Sequence, residues 1–267
     1  YSPGTFIDDI KSVDSNFILS IFIEEIKQIN NSHMLYIGLS ILDLSVGKSI
    51  IHETFAKKDD DKYSLDEALM FIHNFNPTEI IIHHKNLETY NEEQIKLYLE
   101  LNERKYLYYE LNKNEYLNLN YQNALLKTIF NIESYLSPIE DLDLERMNNG
   151  RLSYILLLDY CKKQNSEILS NIEKPEFYEN SKYLHLGNNA IEQLNILNSS
   201  INTNSLFDII NFTHTSMGRR LLKFNLSNPI CNSQILNIRY NYIQNMLDNN
   251  YDLTEILKNI IDIERLH

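Results

Sequence analysis

The sequence has no tryptophan and only two cysteines, Cys161 and Cys231. Two isolated cysteines without metal-ligand spacing argue against a disulfide scaffold and favour a reducing, intracellular setting. No apolar run reaches the roughly 18 residues that a membrane-spanning helix needs, so we expect no membrane segment. The N-terminus lacks the basic and then apolar segments of a signal peptide. The chain opens at Tyr1 and not at a methionine, which suggests a piece of a longer chain.

Positive charge is also scarce. The 267 residues contain 24 Lys and Arg against 37 Asp and Glu, a net charge of −13. Because DNA binding depends mainly on neutralising phosphates with Lys and Arg, a chain this acidic is predicted to bind DNA poorly by itself. If its parent protein binds DNA, this part is expected to serve mainly as a structural framework.

The motifs of common enzyme classes are missing as well. No phosphate-binding loop is present, since the lone Gly47-Lys48 pair belongs to a predicted hairpin, and neither Gly-x-Ser-x-Gly nor His-Glu-x-x-His occurs. His83 and His84 are adjacent on a predicted strand, so their rings would point to opposite faces, and we interpret them as a plain strand end. The sequence therefore predicts no catalytic, cofactor or metal site in this chain.

The first half of the chain carries strand patterns. Residues 1–15 are predicted to form a linker, because Pro3-Gly4 is a turn signal followed by polar residues. Apolar runs then predict three antiparallel strands at 17–23, 34–44 and 49–55, and helices and strands alternate from there to about residue 130. This order is typical of an RNase H-like α/β domain, which we assign to residues 1–133.

The character of the sequence changes near Ser134. Strand signals become rare, and apolar residues recur at helical spacing through the rest of the chain. We therefore predict a mainly α-helical domain at residues 134–267.

One stretch of that half, residues 203–229, combines several helix signals. Asn204 or Ser205 can cap a short helix, and Thr213 or Thr215 can start a second one. Gly218 lies inside the second helical pattern, where glycine costs roughly 1 kcal/mol relative to alanine. We expect Gly218 to allow close packing against a neighbouring helix, predicted at 233–248.

Charged residues at two places offer alternative interpretations. Arg219, Arg220 and Lys223 form a basic patch that could contact phosphate, or could pair with carboxylates and fix helix packing, which we favour. Near the end of the chain, Asp262, Glu264 and Arg265 are interpreted as a structural ion-pair motif on a helix surface.

Four stretches resemble the MutS mismatch-repair family in the family's order. Residues 205–230 (SLFDIINFTHTSMGRRLLKFNLSNPI) are similar to its core-domain segment, and residues 36–49 (YIGLSILDLSVGKS) to its connector-domain hairpin. Residues 260–267 (IIDIERLH) resemble an Asp-x-Glu-Arg signature of the first core segment. Residues 2–5 (SPGT) are similar to the motif that closes the family's mismatch-reading domain. The resemblance therefore covers nearly the whole chain.

The resemblance implies an RNase H-like connector domain followed by the first part of the helical core, or lever, domain. The chain would then link a mismatch-binding domain to an ATPase domain, both outside these residues, and ATP and Mg²⁺ would bind only in that ATPase domain. Implied partners of the parent protein are mismatched duplex DNA, a second MutS-like subunit and a MutL-like protein at the connector. The composition, rich in Asn, Ile and Tyr, is similar to the branch of large DNA viruses and octocoral mitochondria. The compartment stays open among cytoplasm, nucleus, mitochondrion and viral factory.

An RNase H-like nuclease with a helical accessory domain is the alternative. Such an enzyme holds two Mg²⁺ ions with converging carboxylates, and Asp43 is the candidate on a strand. Glu53, Asp66 and Glu79 form no recognisable catalytic pattern with it. We therefore favour a structural role for Asp43, in which its carboxylate binds nearby backbone N–H groups of the hairpin.

Overall fold

A computed structural model describes most of the chain. It covers residues 15–27, 33–102, 104–165, 169–179, 183–184, 190–197, 204–249 and 253–265. These residues form two compact units, one ending at Tyr178 and the other beginning at Glu179. The linker predicted at residues 1–15 lies outside the described residues except for Ser15. In the described part of the chain, no helix is long and apolar enough to cross a membrane.

The first unit is built on one mixed six-stranded sheet. Its strands are β1 (Phe17–Lys27), β2 (His33–Asp43), β3 (Ser49–Phe55), β4 (Glu79–Lys85), β5 (Tyr106–Glu110) and β6 (Glu176–Phe177). They lie in the order β5-β4-β1-β2-β3-β6, in which β2 is antiparallel to β1 and β3 and the other neighbours are parallel. The predicted antiparallel hairpins are thus present, and the short edge strand β6 is an addition that no sequence pattern indicated.

Helices cover the sheet and make up the second unit. The first unit contains α1 (Tyr63–Phe75), α2 (Glu92–Tyr98), α3 (Leu119–Phe130), α4 (Pro138–Asp141) and α5 (Asn148–Gln164), with a 3-10 helix at Asn114–Leu117. The second unit contains α6 (Ala190–Gln193), α7 (Leu206–Ile210), α8 (Ser216–Ser227), α9 (Ser233–Asp248) and α10 (Thr254–Lys258), with a 3-10 helix at Ile263–Arg265. The chain is therefore a mixed α/β sheet unit followed by a helical region.

Helix α5 is the buried centre of the first unit. Two glycines let it approach the sheet: a Cβ built at Gly38 of β2 would lie 1.9 Å from the carbonyl oxygen of Asn149. A Cβ built at Gly150 would lie 3.1 Å from a methyl group of Ile51 in β3. The Glu53 carboxylate accepts the N–H groups of Asn149 and Gly150, at 2.6 and 3.0 Å. These N–H groups at the helix start lack helical partners, so Glu53 satisfies them and complements the helix dipole.

Polar contacts also join α5 to the strands beneath it. The Ser153 hydroxyl lies 2.9 Å from the Ser40 hydroxyl and donates to the carbonyl of Ser20 at 2.8 Å. One residue along the helix, the Tyr154 hydroxyl lies 2.8 Å from that of Ser49. All four side chains are almost completely buried. Since a buried hydroxyl without a partner is costly, these pairings tie α5 to three strands at once.

The position of α5 corrects the predicted domain boundary at residues 133 and 134. Leu156, Leu157 and Leu158 of this helix belong to the same apolar core as Phe22 and Ile81 of the sheet. The first unit consequently extends to Tyr178. The loss of strand patterns near Ser134 marked the start of helical sequence, and these helices belong to the sheet they cover.

The second unit starts its helices as the sequence predicts. Ser205 caps α7 in a reciprocal arrangement with Asp208, and the Thr215 hydroxyl caps α8 by accepting the N–H of Gly218. The apolar residues of α9 are nevertheless not buried, because this helix has no buried residue and Ile243, among others, is exposed. An amphipathic pattern identifies the apolar face of a helix without identifying what covers it.

Candidate functional site

The predicted charged residues of the second unit meet around Arg220. Arg220 and Ser227 are the buried residues of α8, and the exposed fraction of Arg220 is only 8%. Its two terminal nitrogens donate to the two oxygens of Asp262 at 2.6 and 2.8 Å. One of them also donates to Glu264 at 2.7 Å. The planar guanidinium therefore binds one carboxylate through both oxygens and a second carboxylate beside it.

The charges of this cluster stabilise one another. The hydrogen bond from Arg220 holds the pKa of Asp262 below its usual range, and the bond to Asp262 raises the pKa of Arg220. Arg265 adds a weaker contact, with its Nε 3.7 Å from Asp262. The Arg220 cluster, comprising Arg220, Asp262, Glu264 and Arg265, thus fastens the segment after α10 to α8.

The other two residues of the predicted basic patch have different surroundings. The guanidinium of Arg219 lies 5.0 Å from the ring centre of Phe207, a cation–π contact. Lys223 is half-buried on the next turn of α8. Because Arg220 is buried against two carboxylates, the three residues do not present three cations on one surface. This geometry favours helix packing over phosphate contact.

Gly218 does not fill the role expected of it. The atoms nearest to a Cβ built there belong to two threonines of the preceding loop, Thr215 Oγ1 at 2.9 Å and Thr213 at 3.7 Å. The expectation of close packing against α9 is therefore wrong. The crowding around Gly218 comes from the hydroxyl that caps its own helix. The glycines that do allow close packing are Gly38 and Gly150, which lie on elements whose contact no sequence spacing reveals.

The carboxylates considered for a nuclease centre have separate structural tasks. Asp43, at the end of β2, accepts the N–H and the hydroxyl of Ser45 at 2.9 and 2.6 Å and orders the hairpin. Glu53 binds the start of α5, Asp66 accepts the hydroxyl of Tyr98, and Glu79 pairs with Lys105. Within the described ranges, no three His, Cys, Asp or Glu side chains are grouped to hold a metal ion.

The carboxyl end of β4 holds a second polar cluster. Burial and the neighbouring His84 lower the pKa of His83 to about 4, so His83 is neutral at pH 7. Nearby, Asp159 of α5 accepts the Tyr116 hydroxyl at 2.6 Å and pairs with Lys163 at 2.5 Å. Burial alone would raise the pKa of Asp159, but the bonds from Lys163 and Tyr116 lower it. Asp159, Tyr116 and Lys163 are paired with one another, which is typical of a structural network, whereas Nδ1 of His83 is buried without a hydrogen-bond partner among the described residues.

Comparison with known proteins identifies relatives along the whole chain. The family model described as MutS domain III matches residues 189–267. A DNA mismatch repair protein mutS homologue of Acanthamoeba polyphaga mimivirus is 39% identical over 100% of this chain and 26% of its own length. The DNA mismatch repair protein MutS of Caldanaerobacter subterraneus is 28% identical over 100% of this chain and 28% of its own length. The mitochondrial DNA mismatch repair protein mutS homologue of Sarcophyton glaucum is 33% identical over 57% of this chain and 15% of its own length.

These matches agree with the resemblance carried by the four sequence stretches. The chain spans about a quarter of the length of the curated relatives that it matches from end to end. The domain model falls within the second unit, and the similarity to the mimivirus and octocoral proteins supports the predicted branch. The chain belongs to the MutS family of DNA mismatch repair proteins.

Proposed function

We propose that this chain is the connector domain and the first part of the core, or lever, domain of a MutS-type protein. In that role it transmits conformational change between a mismatch-binding domain and an ATPase domain. The observation that carries the proposal is the strand order β5-β4-β1-β2-β3, with β2 antiparallel to both neighbours, followed by the segment that the domain III model matches. This order and these directions are the ones we expect of an RNase H-like sheet, and they support the proposed connector domain.

The internal construction of each unit suits a mechanical link. Transmission between distant sites needs rigid elements that move as bodies instead of deforming. In the first unit, α5 contacts the sheet backbone at Gly38 and is held by the buried hydroxyl contacts of Ser153. In the second, the Arg220 cluster joins residues more than 40 positions apart in the sequence. These contacts hold distant segments together inside each unit, as a rigid link requires.

The partners of the parent protein are part of the same proposal. Mismatched duplex DNA, a second MutS-like subunit and, at the connector, a MutL-like protein would bind the longer protein. ATP and Mg²⁺ would bind in its ATPase domain. The net charge of −13 supports a framework role for this part, because the basic residues that neutralise phosphates would have to lie elsewhere.

The test is made in the intact parent protein with Arg220→Ala. We expect this variant to keep mismatch binding and basal ATP hydrolysis but to lose most of the stimulation of nucleotide exchange by mismatched DNA. Lys258→Ala is the matched control, since it removes an exposed pair with Glu255 in the same unit. Full stimulation in Arg220→Ala, with the Arg220 cluster shown to be broken by a lower urea midpoint, would contradict the proposal.

A further inference from the structure

The last part of the first unit is a segment laid along the outer edge of β3. After Leu169, which is buried in the core, the N–H of Glu173 donates to the carbonyl of Gly47 at 3.0 Å. Strand β6 then pairs with β3 through two residue pairs, and the N–H of Tyr178 donates to the carbonyl of Ile51 at 2.9 Å. We call residues 173–178 the strap. The strap is the final stretch before the second unit begins.

Tyr178 makes the largest side-chain contact of the strap. Its ring lies 5.2 Å from Phe71, 5.4 Å from His52 and 6.0 Å from Phe75, edge-on to each of them. Its hydroxyl accepts a hydrogen bond from Asn74 at 3.0 Å. Edge-to-face aromatic pairs contribute about 0.5–1.5 kcal/mol each beyond the area that they bury. Tyr178 therefore stabilises the attached position of the strap through several aromatic contacts and one hydrogen bond.

Apart from Pro175, which is buried, the residues of the strap before Tyr178 are exposed. Glu176 and Phe177 of β6 are exposed, and Lys174 pairs with Asp141 at the surface. Exposed ion pairs typically contribute less than about 1 kcal/mol. By contrast, β1 pairs along its length with β2 and along most of it with β4, and its side chains form the core. We therefore expect local stability to be lower at the strap edge of the sheet than at β1.

We propose that the strap detaches from β3 while the rest of the sheet stays folded, and that Tyr178 is the latch that controls this opening. Attached, the strap fixes the chain up to the residue at which the second unit begins. When the strap is detached, Ile172 is the last residue before the freed segment. Residues 173–178 then form an extended tether to the second unit of about 20 Å. The inference rests on the proposed linking function, and it names the place where the two units gain or lose freedom to move.

Amide hydrogen exchange of the 267-residue chain at low urea concentrations tests the opening. We expect the amides of Glu173 and Tyr178 to exchange faster than those of β1 and with little dependence on urea, because a local opening exposes little surface. Tyr178→Ala should accelerate strap exchange at least tenfold, and Tyr178→Phe, which keeps the ring, much less. Tyr135→Ala is the matched control, since Tyr135 is a fully exposed tyrosine of the same unit. Equal rates and urea dependence at the strap and at β1, or no acceleration in Tyr178→Ala, would overturn the proposal.

A distance measurement tests what the opening does. Spin labels on Cys231, which is exposed, and on Tyr135→Cys report on the two units, while burial raises the pKa of the Cys161 thiol to about 12 and keeps it unreactive. Tyr178→Ala should broaden the distance distribution between the labels relative to the labelled Tyr135→Cys chain that keeps Tyr178. An unchanged distribution alongside faster strap exchange would contradict the tether. Neither measurement involves DNA or nucleotide, so failure here is distinct from failure of the proposed linking function.

Discussion

Gly38 and Asn149 are in direct backbone contact although they lie more than 100 positions apart in the sequence. A Cβ on Gly38 would lie 1.9 Å from the Asn149 carbonyl oxygen and 2.2 Å from its carbonyl carbon. No real side chain can occupy that space, so β2 and the first turn of α5 can pack this way only with glycine at position 38.

Gly38→Ala should therefore destabilise the first unit strongly. The new methyl group meets backbone atoms, which cannot rotate away, so we expect a loss of about 3 kcal/mol or more in the free energy of unfolding. Urea denaturation of the chain measures the loss. Gly218→Ala is the comparison, because its Cβ would meet side-chain atoms of Thr215 and Thr213 and no backbone atom among its nearest neighbours, and the gain in helix propensity offsets part of that cost, for a net change within about 1 kcal/mol. Similar midpoints for the two variants would refute the close contact at Gly38.

Arg220→Ala should lower the stability of the second unit. Removing one partner of a buried ion pair leaves the other charges unpaired, which typically costs 3–5 kcal/mol when burial is complete. Because the Glu264 side chain is about a third exposed, we expect roughly 2–3 kcal/mol here. A double-mutant cycle with Asp262→Ala isolates the pairwise part, and a coupling energy near zero would show that the residues act independently.

His83 should make the first unit sensitive to mild acid. Its pKa is about 4 in the folded chain and about 6.5 when exposed, so between these values the unfolded state binds a proton that the folded state does not. Stability should then fall as pH drops from about 6.5 to 4, by up to about 3 kcal/mol from this group alone. His83→Phe should reduce the difference between the urea midpoints at pH 7 and pH 4.5. An unaltered difference would show that His83 titrates normally.

Two fragments test the extent of the first unit. Residues 15–178 include α5 and the strap, so we expect this fragment to unfold cooperatively with its β structure intact. Residues 15–133 lack α5 and expose Phe22, Ser20, Ser40 and their neighbours, so this shorter fragment should aggregate or lose near-UV circular dichroism. A folded, soluble 15–133 fragment would restore the boundary predicted from the sequence.

The isolated chain should be inactive toward nucleic acid and nucleotide. We expect no Mg²⁺-dependent cleavage and no ATP hydrolysis, and duplex binding with a Kd of about 10⁻⁴ M or weaker at physiological salt, unaffected by a mismatch. Cleavage assays and fluorescence anisotropy measure these quantities. Turnover that disappears in Asp43→Ala, or micromolar binding that prefers a mismatch, would contradict this prediction.

The comparison of sequence and structure shows where local patterns suffice. The hairpin at Asp43 and the caps at Ser205 and Thr215 were predictable, because each depends on side chains and backbone groups a few positions apart. The contact of Gly38 with Asn149 and the pairing of Arg220 with Asp262 join distant segments, and no local spacing encodes them. A glycine in a strand indicates close approach by something, without indicating what approaches.

The Ser153 hydroxyl has a further consequence for the movement of α5. Hydrophobic contact is non-directional, so it specifies the position of a helix less sharply than hydrogen bonds do. Here a shift of one helical turn, about 5.4 Å, would carry Ser153 away from both Ser40 and Ser20 and leave the buried hydroxyls of Ser153 and Ser40 without these partners. The hydrogen bonds of the Ser153 hydroxyl thus keep α5 in one register on the sheet, so that a force applied to the helix displaces helix and sheet together.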